Sequence, residues 1–73
     1  MKTISVNGEI IDIPANPNGS IPSALIRKVT QISPDRALVL QRQNGENRII
    51  NAGEDVFVNS NDFFIDTALA ERG

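Results

Sequence analysis

The sequence predicts an α+β domain, a mixed five-stranded sheet with one helix packed across it, and three observations predict it. Asn7-Gly8 stands between two runs of alternating apolar residues, the pattern of a β-hairpin. A stretch beginning near residue 20 repeats apolar residues at helical spacing. Three more short apolar runs, within 37–42, 48–50 and 63–68, are separated by Asn, Gly, Ser and Asp. A helix with one apolar stripe and a sheet with one apolar face bury each other most simply as two layers.

The hairpin is the clearest element. "TISVNGEIIDI" places Asn and Gly at the two positions of a type I′ turn that need positive φ. A two-residue loop sets Val6 opposite Glu9, Ile4 opposite Ile11 and Lys2 opposite Ile13. Ile4, Val6, Ile11 and Ile13 then share one face, and Thr3, Ser5, Ile10 and Asp12 the other. Ile10 is the one apolar residue on that outer side. "PANPNGS" cannot continue a strand. A helix is expected to start at Ser20 or Ile21, with Pro22 in its first turn and Ile21, Leu25, Val29 and Ile32 as its buried stripe. Pro34 ends it, because a residue before proline avoids helical backbone. "ALVLQR" reads as a strand, "QNGENR" as a turn, "RII" as a short strand and "FFIDTA" as the last strand. "VFV", at 56–58, reads as a helical turn or an irregular segment. The first and last strands can pair in parallel at the centre of the sheet, which is the β-grasp arrangement.

Composition narrows the chemistry. Seventy-three residues allow one small core, and a chain of this size buries only about 60% of its unfolded surface. Histidine and cysteine are both absent. That removes disulfides, thiol and imidazole catalysis, iron–sulfur ligation and the usual zinc ligand sets. The reading is therefore of a protein that is not an enzyme and binds no metal or cofactor. A net charge of −2 with scattered Lys and Arg argues against a nucleic-acid partner. No apolar run approaches the ~20 residues needed to span a bilayer, and "MKTISVNGEI" lacks the apolar centre of a signal peptide. A cytoplasmic protein without a membrane partner is expected.

Over nearly its whole length the chain resembles the ubiquitin-like β-grasp family, and more closely its bacterial branch of multiubiquitin-type domains. "ISVNGEIIDIP" is similar to the opening hairpin, "ISPDRALVL" to the helix exit and third strand, and "EDVFVNSNDFFI" to the approach to the last strand. Where the family often has Gly before the Asp of that approach, this chain has Asn61, the next best residue for positive φ. The resemblance implies a domain over 1–67 followed by a flexible tail over 68–73, "ALAERG". It implies that the Gly73 carboxylate is adenylated by an activating enzyme, carried as a thioester and transferred to an amine. The enzyme would consume ATP; the domain itself would hold no cofactor. Partners would be the activating enzyme, a conjugating enzyme, a deconjugating peptidase and target proteins, by analogy within a bacterial antiphage operon.

The tail suits that chemistry. A glycine without Cβ leaves the reacting carbonyl open, and Leu69, Glu71 and Arg72 offer contacts for a partner's channel. Ubiquitin and the sulfur carriers end in two glycines; here Arg72 precedes Gly73. This departure weakens the sulfur-carrier alternative, in which the terminus becomes a thiocarboxylate, more than it weakens the modifier reading. A third alternative is a docking module that conjugates to nothing.

A recognition patch is expected on the outer face of the sheet. If Asp66 faces solvent, Phe64 shares its face, and Phe63 and Ile65 point inward. With Leu38 and Leu40 in the core, Val39 faces outward beside Phe64; the opposite register of this strand stays open. Phe64, Val39 and Ile10 are the candidate patch residues. Lys2 and Lys28 are the only lysines, which suits single tagging better than chain building.

Overall fold

The computed structural model describes residues 1–68. Its elements are β1 (Lys2–Val6), β2 (Glu9–Ile13), β3 (Ile21–Pro22), α1 (Ser23–Thr30), β4 (Arg36–Gln41), β5 (Asn47–Ile50), β6 (Asp55–Val56) and β7 (Phe63–Ala68). Five strands form one mixed sheet in the order β2-β1-β7-β4-β5, and β3 pairs with β6 as a separate two-stranded piece. β1 and β7 run parallel, and every other neighbouring pair is antiparallel. The α+β architecture, with one mixed five-stranded sheet and one helix, matches the expectation from sequence.

The hairpin has the expected register, Lys2 opposite Ile13, Ile4 opposite Ile11 and Val6 opposite Glu9. Its turn takes φ of 52° at Asn7 and 84° at Gly8, values that L side chains other than Asn and Asp rarely accept. The inner residues Ile4, Val6 and Ile13 are buried, and they join Ile21, Ile26, Ile32, Leu38, Leu40, Ile50, Val56 and Phe64 in one core cluster. Ile26 and Ile32 bring the helix layer to that cluster.

The helix begins later than the sequence suggests. Ile21 and Pro22 are extended and pair with Val56 and Asp55, so of "VFV" Val56 ends a two-residue strand, while Phe57 and Val58 are irregular, the second of the two expected forms, and not a helical turn. Proline can occupy such a short pairing because it lies at an edge. The first helical N–H, of Ser23, donates to Glu54 O at 2.9 Å, which supplies one of the partners that a helix start lacks. Shifting the start moves the buried stripe to Ser23 and Ile26. Leu25 is only partly buried and Val29 is exposed, contrary to expectation. Gln31 closes the helix with φ of 59°, and Ile32 N–H reaches back to Arg27 O.

Two ion pairs fix the ends of β4. Arg42 Nη1 donates to Asp62 Oδ2 at 2.8 Å, and the same carboxylate accepts the N–H groups of Asn59 and Gln43. Burial on its own would raise the Asp62 pKa; those three donors outweigh it and hold the carboxyl below its ordinary value. This cluster ties the β4–β5 turn to the approach of β7. It also explains the turn without Asn61, whose φ is not positive. At the other end, Arg36 Nε donates to Asp66 Oδ2 at 2.6 Å. Ala68 pairs with Arg36, so the last strand takes in one residue that the sequence reading assigned to the tail.

Candidate functional site

Two features of the fold bear on the function expected from sequence: the face of the sheet turned away from the helix, and the end of β7. Register decides which side chains lie on each face. Leu38 and Leu40 are fully buried in the core, so Val39 lies on the opposite face, as expected, and it is absent from the core cluster. Its cross-strand partners are Ile65 of β7 and Ile49 of β5. Opposed residues share a face, so Ile65, Val39 and Ile49 form an apolar row across three strands. Phe63 is opposite Gln41 and lies beside the row. Ile49 is 64% exposed and Phe63 41%, while Val39, flanked on both sides, is 7% exposed.

Phe64 is not part of this surface. It is opposite Leu40 and fully buried, so the expected assignment of Phe64 outward and Phe63 inward is reversed. The premise that failed was that Asp66 must face solvent with its neighbours. Asp66 is on the same side as Phe64, opposite Leu38. It is at the rim, where Arg36 satisfies its carboxylate. That hydrogen bond lowers the Asp66 pKa against the opposing effect of partial burial, with further help from Asn7. A charged residue can thus share the core face of a strand when it is at the end and carries its own counter-ion.

Ile10 is on the outer face as expected and is 70% exposed. It is opposite Ser5 on the edge strand β2, with β1 between it and β7, so it flanks the row from a distance. Ile49, Phe63 and Ile65 were missed by the sequence reading. The signal for them was available in the leucines: once Leu38 and Leu40 are inward, the partners of Val39 follow from register. The outer-face positions of the five strands, Thr3, Ser5, Ile10, Asp12, Ala37, Val39, Gln41, Asn47, Ile49, Phe63, Ile65 and Thr67, carry a single charge, Asp12, on the far side of the sheet from Ile49. That carboxylate accepts from Thr3 Oγ1 at 2.6 Å.

β7 is the central strand of the sheet and ends the described residues. β1 accompanies β7 only as far as the pairing of Val6 with Phe64. Past that point Asn7 takes over: its N–H donates to Phe64 O at 2.8 Å, and its Oδ1 accepts Asp66 N–H at 3.1 Å. Arg36 Nη2 donates to Asp66 O at 3.4 Å. Both main-chain groups of Asp66 are therefore capped by side chains, which blunts an otherwise open strand edge. The predicted conjugation residue Gly73 and the predicted tail contacts Leu69, Glu71 and Arg72 lie outside the described residues.

Nothing else in the described residues offers an obvious reaction centre. The groove lined by Arg42, Gln43, Asn44, Asn59 and Asp62 is open, and its one buried carboxylate is occupied by its own arginine and two backbone donors. Among the described residues no group of three or more acidic side chains could hold a metal ion, and no helix is long and apolar enough to cross a membrane. Comparison with family models, with characterised proteins and with solved structures finds no match to this chain.

Proposed function

We propose that this chain is a bacterial ubiquitin-like protein modifier of β-grasp fold, joined to target proteins through the Gly73 carboxylate. The observation that carries the reading is the strand order, with β1 and β7 parallel at the centre, β4 beside β7 and the helix on one face. That order is what the resemblance in sequence implies, and it makes β7, the strand that precedes "LAERG" in the sequence, the central one.

The division of labour is simple. The body serves as a handle, recognised through the Ile49–Val39–Ile65 row and Phe63. Apolar, nearly uncharged surface of this kind favours burial against a partner. The tail supplies the reacting group. An activating enzyme would adenylate the Gly73 carboxylate with ATP, and the conjugating enzyme would pass it to an amine. Arg72 would pair with an acidic group at the channel mouth, and a peptidase would reverse the linkage. Antiphage defence and a cytoplasmic setting belong to the same proposal, by analogy with the bacterial branch.

A second reading has one observation in its favour. The apolar face alone would serve a docking module that never forms a covalent bond. Intact-mass measurement with the cognate enzymes, ATP and a lysine-bearing target separates the two. The modifier reading expects an adduct that disappears when Gly73 is deleted. A docking module gives no adduct with either chain, and a sulfur carrier gives only a terminal thiocarboxylate.

A further inference from the structure

The chain contains three Asn-Gly pairs, Asn7-Gly8, Asn18-Gly19 and Asn44-Gly45. In such a pair the glycine nitrogen can attack the asparagine side-chain carbonyl carbon. A C–N bond forms, ammonia leaves, and a cyclic imide remains. Water then opens the imide to aspartate or isoaspartate, so the net change is asparagine plus water giving the acid plus ammonia.

The three sites differ in the attacking group. Gly19 N–H donates to Asn16 O at 2.8 Å, and Gly45 N–H donates to Arg42 O at 2.9 Å. Both nitrogens must give up a backbone hydrogen bond before they can react. Gly8 N–H donates to no acceptor among the described residues. The electrophile does not separate the sites. Asn18 Oδ1 accepts from Ser20 N–H and Oγ, Asn44 Oδ1 from Glu46 N–H, and Asn7 Oδ1 from Asp66 N–H. Each oxygen therefore has a donor to stabilise the charge that develops on it during attack.

We propose that Asn7-Gly8 is the site of spontaneous deamidation in the folded protein, and that the product loosens the clasp between the hairpin turn and the last strand. The carboxamide of Asn7 is what caps Asp66 N–H. Conversion to aspartate sets a second carboxylate near Asp66, whose own carboxylate is already paired with Arg36. Conversion to isoaspartate inserts a carbon into the two-residue turn and removes the cap altogether. Either product takes the net charge from −2 to −3. This inference is independent of the modifier reading.

The test is incubation of the full folded chain at mildly alkaline pH, with peptide mapping of all three sites and a parallel incubation in denaturant. Native Asn7 converts about fivefold faster than Asn18 and Asn44, the factor set by one backbone hydrogen bond that need not break, while in denaturant the three rates converge. The more acidic species, separated by ion exchange, shows faster amide exchange at Asp66 than the parent. Equal native rates, or Asn18 or Asn44 converting first, overturn the site. Unchanged exchange at Asp66 in the converted protein overturns the consequence.

Discussion

Replacing Phe64 with alanine removes the largest fully buried side chain of the core. Phenylalanine-to-alanine changes in packed interiors cost about 3–5 kcal/mol. A domain of this length has roughly 4–11 kcal/mol to lose, at about 0.05–0.15 kcal/mol per residue. At roughly 4–8 °C per kcal/mol for a domain of this size, the melting temperature falls by at least about 12 °C, or the chain fails to fold. Phe63→Ala, one residue away on the other face, costs about 1 kcal/mol or less, because that side chain already meets water. The assay is thermal unfolding of both variants beside the parent, with urea unfolding as the check on two-state behaviour. A Phe64→Ala protein that melts within a few degrees of the parent, or a Phe63→Ala protein that loses more than Phe64→Ala, refutes the assignment of faces.

Three further outcomes follow, the first from the proposed function and the others from the geometry. Ile49→Asp leaves the melting temperature within a few degrees of the parent and weakens binding of an activating or conjugating enzyme by more than about 1 kcal/mol, measured by calorimetry. Gly8→Ala costs about 1–2 kcal/mol in urea unfolding, since φ of 84° suits glycine and the loss is backbone strain rather than a clash. The Asp62 carboxyl has a lower pKa folded than unfolded, so its contribution is fully present above the ordinary carboxylate range and is lost as pH falls through the folded value. Asp62→Ala costs about 2 kcal/mol at neutral pH by leaving the N–H groups of Asn59 and Gln43 without an acceptor, and its stability falls less steeply with acid than the parent's; equal slopes would remove Asp62 from the acid response.

The legible parts of the fold were those with a local cause. Asn7-Gly8 set the hairpin and its register, because few residue pairs accept two consecutive positive φ values. The last strand and the strand at 37–42 were readable from apolar runs bounded by turn residues. β3 and β6 were not, since two-residue strands leave no periodicity and exist only because they meet. The helix start was misplaced for the same reason: Ile21 belongs to that pairing, and its inclusion rotated the predicted stripe onto Val29. On the outer face, Val39 and Ile10 were readable and Phe64 was not. The error came from treating Asp66 as a marker of solvent, when Arg36, 30 residues earlier, is what allows it to share a face with Phe64. A long-range counter-ion has no signature in the local pattern.

In the proposed function Gly73 becomes bonded to a target amine. The sequence gives that bond a distinctive trace, because Arg72 immediately precedes Gly73 and trypsin cleaves after arginine. Conjugates formed with the cognate enzymes and ATP, digested with trypsin, will show target lysines carrying a single glycine on the side-chain nitrogen. Target lysines without that glycine, together with an unmodified or thiocarboxylated terminal peptide, contradict the claim.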